Sequence, residues 1–154
     1  MKQIILLFFF AFILITSCAC DKDASTSSDL GNKKTDTIGG KMKIIAGTKT
    51  FVATLSLNPS TAAFKKLLPF TVDMADLNAN EKYVDLSEGL PTNASNPGTI
   101  QNGDLMLYGS STLVLFYKTF STSYSYTRLA QIDNVSGLSA ALGQGKVTIT
   151  FELQ

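Results

Sequence analysis

The chain has 154 residues, enough for one domain, with 13 basic and 12 acidic residues, two cysteines, and neither histidine nor tryptophan. Without histidine it lacks the usual general base near neutral pH, and with its only cysteines at Cys18 and Cys20 it has no set of ligands for a zinc site. A near-neutral balance with a single arginine, Arg128, excludes the electrostatic footprint of a nucleic-acid binder.

The first element in chain order is a leader. Lys2 is followed by an unbroken apolar run from Ile4 to Ile15. That run is too short for a membrane-spanning helix, which needs about 20 residues, and reads as a secretory signal over residues 1–17. Ile15-Thr16-Ser17-Cys18 resembles the bacterial lipobox, in which an aliphatic and two small residues precede a cysteine that becomes lipidated after cleavage. The resemblance implies lipidation at Cys18 and an exported, lipid-anchored protein of the cell envelope. The alternative is an ordinary cleavage site beside a stray cysteine. Residues 18–40 are Ser, Thr, Asp, Lys and Gly with almost no apolar side chain, so they are expected to form a tether. About 20 residues of such coil span roughly 25 Å.

The domain is expected over 41–154. Phe51, Ala53 and Leu55 alternate with polar neighbours after a turn at Gly47-Thr48-Lys49, which predicts a hairpin. "NPSTAAFKKLLP" predicts a short helix, with Asn58 as cap, Pro59 in the first turn, Pro69 as the stop, and Phe64, Leu67 and Leu68 buried. Phe70, Val72 and Met74 mark a strand, "NEKYVDL" another, and "GLPTNASNPGTIQNGD" a long loop. "LMLY" and "TLVLFYK" are strands parted by Gly109-Ser110-Ser111, the second so continuously apolar that both its faces should be covered. "YSYTRLAQI" follows as a strand. "SGLSAALG" predicts a helix capped by Ser136 and ended by Gly143, and "KVTITFEL" a last strand with Val147, Ile149, Phe151 and Leu153 inward. About eight strands and two short helices with regular turn signals make a mainly β, closed or nearly closed barrel.

"LPTNASNPGTIQNGDLMLYGSSTLVLFYKTFSTSYSYTRLAQI" resembles the cyclophilin-like domain family of bacteria. The most specific parts are Asn80-Glu81-Lys82-Tyr83, Gly103-Asp104-Leu105 and residues 116–128. The resemblance implies an eight-stranded closed barrel with a helix over each open end. It does not carry over proline isomerisation. The cyclophilin groove uses an arginine set between Phe-His and Phe, with further Gln, Trp and His, whereas Arg128 lies between Tyr126-Thr127 and Leu129-Ala130.

Arg128 is the sharpest candidate, because a guanidinium presents a planar fork of donors to a carboxylate, a phosphate or a peptide carbonyl. On an unbroken strand Tyr124, Tyr126 and Arg128 share one face. They are therefore expected to line a concave surface near a barrel mouth, with Glu81 or Tyr83 in reach. The plainer alternative pairs Arg128 with an acid such as Glu81 at the rim. Glu81 and Tyr83, two residues apart, could hold a cation or an amine. The Ser/Thr row at 119–127 reads either as a solvent face or, around Ser121-Thr122-Ser123, as a loop tip. No cofactor, metal or nucleic acid is expected. The expected role is binding of a peptide or a small anionic molecule by a membrane-tethered barrel. A divergent isomerase and a structural or interaction module of the envelope are the alternatives.

Overall fold

The structure, a computed structural model, describes residues 38–154. The expected leader, Cys18 and the tether as far as residue 37 lie outside the described residues. The strands are β1 (Ile38–Ala46), β2 (Lys49–Ser56), β3 (Phe70–Leu77), β4 (Glu81–Asp85), β5 (Thr99–Ile100), β6 (Asp104–Tyr108), β7 (Thr112–Phe116), β8 (Phe120–Ser121), β9 (Thr127–Ile132) and β10 (Val147–Leu153). The helices are α1 (Pro59–Lys65) and α2 (Leu138–Leu142). Eight strands close a barrel in the order β1-β10-β3-β4-β7-β6-β9-β2, and β5 and β8 form a separate two-stranded sheet. The strand β1 starts three residues before the boundary expected at Lys41, with a register shift between Ile38 and Lys41.

Alternation sets the interior. Phe51, Ala53 and Leu55 of β2 are buried, as are Ile149 and Phe151 of β10, and they meet Met42, Ile44, Leu105 and Leu115 in one core. Leu153 departs from the expected inward set. It is 47 % exposed, because β10 runs to the barrel rim there.

The helices close the two ends. Asn58 caps α1 as expected, its side chain accepting from the Thr61 N–H at 2.8 Å, with Pro59 in the first turn. Phe64 meets Phe70 and Phe151 edge-on at 5.8 and 6.1 Å, while Phe70 and Phe151 stack at 5.1 Å. The helix ends at Lys65, well before Pro69, so Leu67 leaves the buried helical face and is 38 % exposed; Leu68 stays packed on the core. At the other end Leu138 and Leu142 of α2 enter the core. Its N-cap is Gly137 rather than Ser136. Gly137 has φ 79, a left-handed conformation that suits glycine, and the Ser136 N–H donates to Asn134 Oδ1 at 2.9 Å.

Strand β7 is buried on both faces, as its unbroken apolar run predicts. Leu113 and Leu115 point into the main core. Val114 and Phe116 point outward into a second cluster with Ile100, Met106 and Tyr126, against which Tyr83 and Phe120 pack. The cover comes from segments that read as loops: β5 pairs with β8, and Ser95 forms a two-way bridge with Tyr126. No helix among the described residues is long and apolar enough to cross a membrane.

Candidate functional site

The register of four strands lays out the outer face as a grid. Tyr83 on β4 sits opposite Val114 on β7, Val114 opposite Met106 on β6, and Met106 opposite Arg128 on β9. One row to one side, Glu81 faces Phe116; one row to the other, Asp85 faces Thr112 and Thr112 faces Tyr108. Glu81, Tyr83 and Asp85 therefore share the outward face of β4, since strand side chains alternate.

Over this grid lies a cavity of about 630 Å³. Its floor is Glu81, Tyr83, Asp85, Thr112 and Val114; one wall is the β3–β4 turn at Leu77, Asn78 and Asn80; the other is Tyr108 with Phe120–Tyr126 except Ser125. The wall is an aromatic chain. Phe116 meets Phe120 at 5.8 Å and Tyr126 at 5.5 Å, and Tyr108 meets Tyr126 at 5.6 Å and Tyr124 at 6.0 Å. Tyr126 is nearly buried, whereas Tyr124 is 61 % and Tyr108 47 % exposed.

Among the described residues, two carboxylates and no lysine or arginine line the cavity. Asp85 accepts from the Thr112 hydroxyl at 2.6 Å. Glu81 is half-buried and has no side-chain hydrogen bond or ion pair among the described residues. Burial first, and then the charge of Asp76, raise its carboxyl above the ordinary value. Burial and the Glu81 charge likewise raise the Tyr126 hydroxyl.

Arg128 stands apart from this cavity. Its guanidinium donates to Asp104 Oδ1 and, at 3.2 Å, to Gln131 Oε1. The Asp104 side chain is fully buried, and its second oxygen accepts from the Gln101 N–H at 2.8 Å. Burial raises the Asp104 carboxyl, an effect that the Gln101 amide and Arg128 oppose. The acid partner of Arg128 is thus Asp104, not Glu81. Three strand steps separate β4 from β9, or roughly 14 Å, so neither Glu81 nor Tyr83 comes within reach of it. The preceding Gly103 has φ 91, and a Cβ there would meet Val135 Cγ1 at 2.6 Å, which explains why this corner is written Gly-Asp.

Of the five candidates, the structure brings Glu81, Tyr83, Tyr124 and Tyr126 to one cavity and leaves Arg128 outside it. The expected common strand face fails for a local reason. Strand β9 begins at Thr127, so Tyr124 lies in the irregular segment after β8. Ser121 ends β8 and pairs with Thr99, Thr122-Ser123 begin the irregular segment, and Thr119, Ser121, Ser123 and Ser125 are exposed. The surface lies on the barrel's outer wall, not at its mouth. Sequence reasoning missed Tyr108 and Asp85, whose place depends on the pairing of β4, β7 and β6; the alternation of Glu81, Tyr83 and Asp85 was the available signal for the latter.

Lys82, between two cavity residues, points the other way and is fully buried. Its ammonium donates to Asp76 at 2.7 Å, to Gly145 O at 2.7 Å and to Gly143 O at 3.0 Å, which uses all three protons. Tyr117 donates to the same Asp76 oxygen at 2.7 Å. Lys82, Tyr117 and the Ala79 amide hold the Asp76 carboxyl below its usual value, and desolvation followed by the Asp76 hydrogen bond pushes the Tyr117 hydroxyl up to about 12. Among the described residues no group of three or more acidic, Cys or His side chains could hold a metal ion.

A closed eight-stranded antiparallel barrel with a helix at each end and a lined cavity on its outer wall defines a small β-barrel domain. The sequence model of the cyclophilin-like family matches residues 44–152, and the chain belongs to that family. No curated protein and no solved structure matches it.

Proposed function

We propose that this chain is a ligand-binding domain without isomerase activity, held at a membrane by a lipid on Cys18, with the aromatic and acidic cavity on its outer wall as the binding site. The observation that carries the reading is the cavity itself: about 630 Å³, walled by four tyrosines. That volume is in the range of small-molecule and peptide sites, and the tyrosines offer rigid contact area together with hydroxyl donors. With no cation in its lining, the cavity suits a peptide better than an anion. The one arginine, which an isomerase-like reading would need in the groove, is committed to Asp104. Two assays test the proposal on the full chain. A proline-isomerisation assay on short peptides should show no acceleration, and titration with acidic, neutral and basic pentapeptides should yield a binder. Acceleration lost on Arg128→Ala would support the divergent isomerase instead. Mass spectrometry of the mature N-terminus should find Cys18 lipidated; a free thiol there would remove the anchor from the proposal.

A further inference from the structure

The cavity wall is one-sided in charge and rich in π surface. Glu81 and Asp85 contribute carboxylates, Tyr83, Tyr108, Tyr124 and Tyr126 contribute rings, and no lysine or arginine offsets them. The other two partly or fully buried carboxylates that meet a cation, Asp76 and Asp104, meet it inside the protein, at Lys82 and Arg128. Glu81 is half-buried with no cation beside it among the described residues. A half-buried carboxylate is stabilised by an opposite charge, and a cation among aromatic faces gains further from their quadrupoles.

The size of the site narrows the source of that charge. Glu81 and Asp85 are four residues apart on one strand, roughly 13 Å, so a single cation touches one of them. Glu81, half-buried and without a partner, is the better host than Asp85, which is exposed and already accepts from Thr112. The floor from Glu81 to Asp85 therefore runs alongside about four residues of extended chain, at roughly 3.3–3.6 Å each. The charge therefore comes as part of a peptide rather than as a free amine.

We infer that the cavity takes an extended peptide through a basic side chain, whose ammonium or guanidinium group sits beside Glu81 among the tyrosine rings. This rests on the reading of the cavity as a binding site and adds the chemical class of its ligand. Because burial holds the Glu81 carboxyl above its ordinary value, the interaction weakens as pH falls into that raised range.

The test is calorimetric titration of the full chain, in nonionic detergent, with the acetylated and amidated peptide Gly-Gly-Lys-Gly-Gly and with versions carrying arginine or norleucine at the centre. The lysine and arginine peptides should bind at least tenfold more tightly than the norleucine one. Glu81→Gln should weaken the lysine peptide at least tenfold and leave the norleucine peptide unchanged. Tyr124→Ala, at an exposed position that cannot unfold the core, should weaken the lysine peptide as well. Equal affinity for lysine and norleucine, or a lysine peptide indifferent to Glu81→Gln, would overturn the cationic ligand while leaving a binding site. Cadaverine binding as tightly as the lysine peptide would overturn the peptide as its source. Failure of every peptide, acidic and neutral pentapeptides included, would overturn both the ligand class and the binding reading beneath it.

Discussion

The barrel interior and the outer wall over β4 and β7 use similar side chains to different ends. Inside, phenylalanines and aliphatics pack into one buried core, and the charged Lys82 finds three acceptors. Outside, an aromatic chain stops half-way, with Tyr108 and Tyr124 open to solvent and Glu81 unpaired among the described residues. The single tetrapeptide Asn80-Glu81-Lys82-Tyr83 feeds both regions, because alternation sends Lys82 inward and its neighbours outward. Lys82 is fully hydrogen-bonded inside the barrel, whereas its neighbour Glu81 on the outer wall has no side-chain partner among the described residues.

The strongest way to break the interior is Lys82→Met. It takes the cation from Asp76, which keeps only its neutral donors Tyr117 and the Ala79 amide, and the ammonium from two carbonyls at the α2 end, so a loss of about 3–5 kcal/mol is expected in denaturant unfolding. The same pair sets an acid limb. The Asp76 carboxyl is lowered in the folded state, so its contribution is complete above the unfolded value near 3.8 and is lost as pH falls through the lowered native one. In Lys82→Met that limb should flatten.

Arg128→Ala separates the two regions next. It deprives the buried Asp104 of a charged donor, at a cost of about 1–3 kcal/mol. Binding in the cavity should not change, since Arg128 does not line it. A variant with normal stability and lost binding would contradict the placement of Arg128 outside the cavity.

A smaller effect sits at the cavity edge. Asn78 and Ala79 in the β3–β4 turn have φ 54 and 52, and left-handed backbone costs a non-glycine residue roughly 1–2 kcal/mol. Ala79→Gly should therefore raise stability by up to about 1 kcal/mol, after glycine's own entropy cost is taken off.

The smallest effect sharpens the comparison most. Since the Glu81 carboxyl is raised on folding, its ionisation opposes folding, and stability falls as pH rises from the unfolded value near 4.5 through the raised native one. Glu81→Gln should remove that slope and leave the protein slightly more stable at neutral pH, by less than about 1 kcal/mol, while the lysine peptide binds at least tenfold more weakly. Decreased stability in this variant would show that Glu81 serves the fold.

The barrel was legible because its signals are local. Period-two alternation in β2 and β10, the Asn58-Pro59 start of α1 and the unbroken run of β7 each follow from neighbours in the chain. The candidate site was legible only in part, because it depends on lateral strand order. Tyr126 and Arg128 are two residues apart, yet one enters the cavity wall and the other turns to Asp104. Asp104 lies on β6, a neighbour no spacing in the sequence could name. Arg128 is expected to present its planar fork of donors to a ligand; instead one guanidinium nitrogen meets both Asp104 and Gln131. The Glu81–Tyr83 alternation pointed to a shared face and was right for the same reason the strands were.

The chain's five tyrosines allow the difference between wall and interior to be read in a single experiment. Tyr83, Tyr108, Tyr124 and Tyr126 line the cavity, and Tyr117 lies inside the barrel beside Asp76 and Lys82. In the full chain with ring-labelled tyrosine, NMR spectra recorded against pooled acidic, neutral and basic pentapeptides should show the four cavity signals moving together while Tyr117 stays fixed. Four unmoved cavity signals, or a shift at Tyr117 as large as theirs, would contradict the account.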